Sequence, residues 1–92
     1  MKILIVGLGV IGGGYAMALK EAGYEEVYGV DINTDTLKRA KEMAIIKEGF
    51  INEDEIISKA DLIVLAIYPD LVKNFIIKNK EKIKDNAVIT DV

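Results

Sequence analysis

The sequence predicts a doubly wound α/β fold, with five parallel strands in the order 3-2-1-4-5 and helices on both faces of the sheet. Short apolar runs alternate with segments of helical periodicity along all 92 residues, a pattern typical of parallel strands joined by crossover helices. A glycine-rich turn of the form G-x-G-x-x-G, Gly7–Gly12, joins the first apolar run to the first helical segment. Right-handed crossovers then give the stated strand order.

The first half of the chain predicts two strands and two helices. The first strand ends at Val6, and the first helix is expected to end at Gly23 as its C-terminal cap. Spacing predicts its buried face as Ile11, Tyr15, Ala18, Leu19 and Ala22. The second strand covers Val27–Asp31, and Asn33 or Thr34 can cap the second helix. The predicted inner side of that helix consists of Leu37, Ala40, Ala44 and Ile45.

The second half predicts three further strands. Gly49–Ile51 is a brief third strand, and a short capped helix is expected from Asn52 through Ala60, with Glu55 completing a capping box. Leu62–Ile67 is apolar without alternation, as in a parallel strand covered on both faces. Pro69 then opens a helix whose predicted inner face is Leu71, Val72, Phe75 and Ile76. Ala87–Asp91 is the last strand.

The glycine turn has the context of a dinucleotide-binding fingerprint, because it lies between a strand and a helix. Gly7 lets the chain turn sharply, Gly9 admits a pyrophosphate close to the backbone, and Gly12 lets the helix pack on the sheet. The free N–H groups of the helix start would hold the phosphates. The predicted phosphate-binding residues are Gly7, Leu8, Gly9, Val10, Ile11 and Gly12. The alternatives are a purely structural turn, or the loop of another nucleotide or methyl-donor binder.

Asp31 strengthens this interpretation, because an acidic side chain at the end of the second strand can accept hydrogen bonds from a ribose diol. Its charge would repel the extra phosphate of NADP, and no arginine follows it directly, so NAD is favoured over NADP. Ile32, the next residue, is assigned to the same contact. An ordinary capping or loop aspartate is the alternative interpretation of Asp31.

Strand order brings a second group of residues to the same crevice. Ile67 and Tyr68, at the carboxyl end of the fourth strand, are assigned to the cofactor contact. Tyr68 is alternatively a tyrosine at the sheet edge. Thr90 and Asp91 end the fifth strand at this rim, where a nicotinamide or substrate would lie, although they are alternatively a turn signal.

Composition bounds the function. The chain is long enough for one domain, and its net charge of −3 and pI near 4.9 argue against a nucleic-acid partner. It contains no cysteine and no histidine, so neither a thiolate nucleophile nor the usual acid–base side chain near neutral pH is present. We therefore expect no catalytic residue and no metal site in this chain. No apolar stretch reaches membrane-spanning length, and a cytoplasmic location is expected.

Four stretches resemble the N-terminal domain of bacterial prephenate and arogenate dehydrogenases. They are the start, Met1–Ala16 with its Leu-Gly-x-Ile-Gly-Gly core; Val30–Asn33; Ala60–Ala66; and the Thr-Asp-Val ending at Val92. The resemblance covers essentially the whole chain. Members of that family commonly carry Ser at the position of Gly14, and Pro or Thr at the position of Tyr68.

The resemblance implies the NAD-binding half of an enzyme of tyrosine biosynthesis. That enzyme carries out the NAD-dependent oxidative decarboxylation of prephenate, or of arogenate. The resemblance also implies that the catalytic histidine, the substrate-binding groups and a helical dimerisation domain lie beyond this chain, which alone is expected to be inactive. A homodimer is expected. The alternatives are the NAD(P)-binding domain of another dehydrogenase, or a regulatory module that senses a nucleotide.

Overall fold

The computed structural model describes every residue from Met1 to Val92. Its single sheet has five parallel strands in the order β3-β2-β1-β4-β5, which confirms the predicted doubly wound fold. The strands are β1 Ile3–Val6, β2 Val27–Val30, β3 Glu48–Phe50, β4 Leu62–Leu65 and β5 Val88–Asp91. The helices are α1 Val10–Glu21, α2 Thr34–Glu42 and α3 Pro69–Asn79, with a 3₁₀ turn at Ile57–Lys59.

The central strand β1 organises the packing. All four of its residues are buried, and it pairs with β2 on one side and β4 on the other, so that Ile3 faces both Val27 and Leu62. Since side chains alternate along a strand, Ile3 and Ile5 enter the apolar cluster that includes α1 and α2 residues. Leu4 and Val6 enter the cluster on the opposite face, with Phe75 of α3.

The predicted buried face of α1 is partly wrong. Gly12 and Ala16 are the buried residues, and Tyr15 and Leu19 pack beside them. The remaining three residues of the predicted face are exposed: Ile11, Ala18 and Ala22. The helix lies close to the sheet at Gly12, so small residues occupy the contact that spacing assigned to larger ones.

Gly23 ends α1 as predicted. It follows the C-cap Ala22 with φ +95°. The N–H of Gly23 donates to the carbonyl of Lys20 and the N–H of Tyr24 donates to the carbonyl of Leu19. This is the Schellman arrangement, which favours glycine at the left-handed position.

The cap of α2 is confirmed, because the side chain of Asn33 accepts a hydrogen bond from the N–H of Thr36 at 3.1 Å. The assignment of Ala44 to the buried side is wrong. Ala44 lies beyond the helix at φ 57° and is exposed, because it occupies the position in α2 that Gly23 occupies in α1. The N–H of Ile45 donates to the carbonyl of Ala40 there.

The helix predicted between Asn52 and Ala60 is also wrong. Asn52 instead accepts from the N–H of Asp54 at 3.0 Å, which closes a turn rather than capping a helix. Only the 3₁₀ turn follows. Ile56, Ile57 and Ala60 of this segment are buried, although the capping box of Asn52 and Glu55 that predicts the helix does not form one.

The remaining elements differ from expectation at their edges. β2, β4 and β5 are each shorter by one or two residues than predicted, and β3 starts one residue earlier. Pro69 is the first residue of α3 as predicted. Phe75 is buried on its inner face and Val72 packs beside it, whereas Leu71 and Ile76 are 46% and 38% exposed. None of the helices has the length and apolar content that crossing a membrane requires.

Candidate functional site

A cleft of about 760 Å³ opens at the carboxyl ends of the strands, as expected at the switch point of a doubly wound sheet. Val6, Val30 and Ala66 lie in its floor and walls. Seven residues predicted for cofactor binding line it: Gly7, Gly9, Ile11, Asp31, Ile32, Ile67 and Tyr68.

The glycine turn is built by close backbone contacts. Gly7 has φ +93°, and a Cβ there would lie 2.5 Å from the carbonyl oxygen of Ala66. A Cβ on Gly12 would overlap the carbonyl oxygen of Gly7. The N–H of Gly7 donates to the carbonyl of Val30 at 2.8 Å. The sharp turn at Gly7 and the tight packing at Gly12 are therefore both present.

The start of α1 has the properties of an anion site. Gly9 is its N-cap, without a side-chain cap, and the first turn holds no acidic residue. A Cβ on Gly9 would meet no atom within 4 Å, so the backbone there borders open space in the cleft. The first N–H groups of a helix have no partner within it, and they carry the positive end of its dipole.

Asp31 follows β2 and is half-buried in the cleft wall. Its Oδ2 accepts from the N–H of Leu8 at 2.9 Å, and its Oδ1 accepts from the N–H of Asn33 at 2.9 Å. The carboxylate is thus held in one orientation beside the glycine turn. A carboxylate has further acceptor capacity after two such bonds, which a ribose diol can use.

Five sequence-predicted residues lie outside the cleft wall. The side chain of Leu8 is buried in the core at 6% exposure, and Val10 is 96% exposed. Gly12 is buried beneath the turn. Thr90 and Asp91 end β5 opposite Val64 and Leu65, respectively, but Val92 is the residue of this segment that lines the cleft.

Sequence reasoning missed one wall of the cleft. Ile51, Asn52 and Glu53 line it after β3, and Leu71 lines it from α3. The parallel sheet could have predicted Ile51, Asn52 and Glu53 as cleft residues, because the carboxyl end of β3 lies at the same edge of the sheet as those of β1 and β2. The helix assigned to this segment obscured that signal.

Glu53 is the charged residue most deeply buried near the cleft, at 8% exposure. Its Oε2 accepts from Nδ2 of the fully buried Asn79 at 2.7 Å and lies 3.2 Å from Nζ of Lys78. Burial disfavours the charged form, but the hydrogen bonds from Asn79 and Lys78 outweigh it and lower the pKa of Glu53. This carboxylate therefore fastens the loop after β3 to the end of α3.

These features define a nucleotide-binding α/β domain of the Rossmann type. A family model described as "Prephenate dehydrogenase, nucleotide-binding domain" matches residues 15–92. The chain belongs to this family. The match confirms the resemblance drawn from the sequence, although it begins after the glycine turn.

Solved structures of three dehydrogenases contain a domain of the same fold. A prephenate dehydrogenase from A. aeolicus, in complex with hydroxyphenyl propionate and NAD⁺, has a TM-score of 0.89 and 29% identity over 99% of this chain. An arogenate dehydrogenase from Synechocystis has a TM-score of 0.89 and 29% identity over 100% of the chain. A 3-hydroxyisobutyrate dehydrogenase from Mycobacterium tuberculosis, with 21% identity over 98% of this chain and a TM-score of 0.82, shares the fold. The chain spans 33%, 32% and 30% of these three proteins, respectively.

Proposed function

We propose that this chain binds NAD and forms the NAD-binding half of a prephenate dehydrogenase-like oxidoreductase. One observation carries the proposal. The carboxylate of Asp31 lies in the cleft wall, fixed by two backbone N–H groups, beside a glycine turn that opens onto a helix N-terminus. A ribose and a pyrophosphate are the two parts of a dinucleotide that these groups suit.

Preference for NAD over NADP follows from charge. The 2′-phosphate of NADP would approach the carboxylate of Asp31, and like charges repel. The next residues, Ile32 and Asn33, carry no positive charge. The N–H of Asn33 is already taken by Asp31, so it is not free for a phosphate.

The cofactor parts have distinct places in this proposal. The pyrophosphate lies over the N–H groups that open α1, and the adenosine ribose bonds Asp31. Ile32 and Ile67 provide apolar walls, and Tyr68, which is 78% exposed, lies at the rim. When bound, NAD supplies the hydride acceptor. The residues of this chain bind and orient it.

The proposed parent reaction is the oxidation and decarboxylation of prephenate to 4-hydroxyphenylpyruvate, as a step of tyrosine biosynthesis in the cytoplasm. Its support is the family match and the relatives' names. Arogenate is the alternative substrate, supported by the Synechocystis relative. We further propose that the substrate-binding groups, the catalytic base and the helical dimerisation domain belong to the part of the homodimeric parent beyond this chain, which alone is inactive.

Calorimetric titration of NAD and NADP into the chain tests the cofactor proposal, with Asp31→Ser as the variant. We expect NAD to bind more tightly than NADP and Asp31→Ser to weaken NAD binding. Preference for NADP would contradict the role of Asp31. Absence of binding by either cofactor would contradict the proposal that this chain holds NAD, and turnover of prephenate by the chain would contradict its inactivity.

A further inference from the structure

The phosphate-binding turn is tied to β2 at two residues: the N–H of Gly7 donates to the carbonyl of Val30, and Leu8 makes contacts through both its backbone and its side chain. Its N–H donates to Asp31, and its side chain packs over Gly29 of β2. A Cβ on Gly29 would lie 2.5 Å from Cδ1 of Leu8, 3.1 Å from Cγ and 3.3 Å from Cδ2. The whole branched end of the leucine thus occupies the space that a side chain on Gly29 would take.

A displacement of the Leu8 side chain acts on the turn through the Leu8 backbone. The side chain is 6% exposed and packs in the core cluster with Ile5, Ala16 and Leu37, and its other side borders a groove between α1 and α2. The Leu8 backbone connects Gly7 to Gly9, the two glycines that border the cleft. A displaced Leu8 side chain therefore shifts the N–H groups that face a phosphate.

We propose that Gly29 is a positioning residue for the phosphate-binding turn, acting through the side chain of Leu8. This inference rests on the proposed binding of NAD. Gly29 is absent from the cleft wall, so it acts without touching the cofactor. Because Gly29 has no side chain, Leu8 packs close to β2. The Leu8 N–H can then reach Asp31, and the turn keeps its shape.

The neighbouring strand provides a matched control. Gly49 of β3 is the register partner of Gly29, and a Cβ there would lie 2.9 Å from Cδ2 of Leu37 in α2. Gly49→Ala thus crowds a buried leucine on the same face of the sheet, away from the glycine turn. Neither Gly29 nor Gly49 has a positive φ, so alanine suits both backbones, and its lower conformational cost in a strand offsets part of the crowding.

The experiment compares wild type, Gly29→Ala, Gly49→Ala and the double variant Gly29→Ala with Leu8→Val. Valine lacks the Cδ1 atom that a new Cβ would strike. NAD affinity is measured by calorimetry, and hydrogen exchange of the Leu8 amide is measured by NMR without cofactor. We expect Gly29→Ala to raise the Kd for NAD about tenfold, the equivalent of one lost hydrogen bond, and to speed exchange of the Leu8 amide. The double variant should bring the Kd for NAD and the exchange of the amide at position 8 back toward the wild-type values, whereas Gly49→Ala should change neither.

Each failure has a separate meaning. If wild type binds NAD and Gly29→Ala binds it equally well, the positioning role of Gly29 is wrong. Equal weakening by Gly29→Ala and Gly49→Ala would also overturn it, because crowding alone would then suffice. If wild type binds no NAD, the proposed function fails, and unchanged exchange of the Leu8 amide in Gly29→Ala would still overturn the positioning role.

Discussion

The carboxylate of Asp31 accepts a hydrogen bond from the backbone N–H of Leu8 at 2.9 Å, joining the end of β2 to the middle of the glycine turn. The residue proposed to hold the ribose thus also holds the turn proposed to hold the phosphates. A substitution at Asp31 therefore affects the proposed ribose contact and the shape of the turn together. Replacing Asp31 to alter cofactor preference also removes an anchor of the glycine turn.

That anchor predicts a loss of stability without any cofactor. Asp31→Ala removes the acceptor for the N–H groups of Leu8 and Asn33, and we expect the free energy of unfolding to fall by about 2 kcal/mol. Asp31→Asn keeps one acceptor oxygen and should lose about half as much. Urea denaturation measures both values. Equal stability of Asp31→Ala and wild type would show that the two hydrogen bonds contribute nothing.

Gly12 and Gly14 are expected to respond oppositely to alanine. A Cβ on Gly12 would overlap the carbonyl oxygen of Gly7, whereas a Cβ on Gly14 meets no atom within 4 Å. Gly12→Ala should therefore cost about 3 kcal/mol or more through overpacking. Gly14→Ala should gain up to about 1 kcal/mol from helix propensity. Thermal unfolding of the two variants measures both changes in stability. A destabilised Gly14→Ala would contradict the prediction that its side chain meets no neighbouring atom.

Ala44 offers a stabilising substitution. It adopts φ 57°, a conformation that costs a non-glycine residue about 1–2 kcal/mol, while glycine adds its own entropic cost of about 0.5–1 kcal/mol. Ala44→Gly should therefore raise the free energy of unfolding by about 0.5–1 kcal/mol. Ala22→Gly is the matched control, because Ala22 has φ −79° at the corresponding end of α1. It should lower stability instead, as measured by chemical denaturation of both variants.

Asp61 gives a pH dependence with a defined sign. A hydrogen bond from the ammonium of Lys84 and another from the N–H of Lys2 lower the pKa of Asp61. A carboxylate with a lowered folded-state pKa stabilises the fold above its unfolded-state pKa of about 3.9. That contribution is lost as pH falls through the folded-state value.

The test compares wild type with Asp61→Asn by urea denaturation from pH 7 to pH 2. Wild type should be more stable at pH 7, and the difference should shrink below about pH 4. Asp85→Asn serves as the reference variant, because it makes the same change at an exposed carboxylate next to Lys84 in the sequence. A difference between wild type and Asp61→Asn that stays constant over this pH range would contradict the prediction.

The caps at Gly23 and Asn33 were predictable because each depends on local chemistry, and the strand order was predictable because right-handed crossovers allow few arrangements. Asn33 caps α2 through its own side chain, and Gly23 ends α1 through its own φ. The buried face of α1 was not predictable from spacing. Gly12 packs against the carbonyl of Gly7 and against Ala66 after β4, whose Cβ would lie 3.2 Å from a Cβ on Gly12. The contact with Ala66 is tertiary, and helical spacing does not reveal it.

The same contrast applies to the candidate site. Asp31 and the glycine turn were found because their spacing in sequence reflects one strand–turn–helix unit. The wall formed by Ile51 and Glu53 was not found, because a turn closed by Asn52 replaces the predicted helix. The place of Leu8 in the motif predicts a phosphate contact. Its side chain instead packs in the core, and its backbone forms part of the glycine turn.

The central position of β1 has a consequence for the order in which the chain acquires its structure. Residues Ile3–Val6 are synthesised before the other four strands of this sheet, yet the N–H of Lys2, beside β1, donates to the carboxylate of Asp61, 59 residues later. Non-local pairing of this kind requires a long loop to close, and the entropy lost on closure precedes the stabilising contacts. Parallel sheets form slowly for that reason. On the ribosome, an apolar strand therefore waits with one edge unpaired until β4 emerges. A nascent chain that stalls before Leu65 presents that edge to other chains and is prone to aggregate.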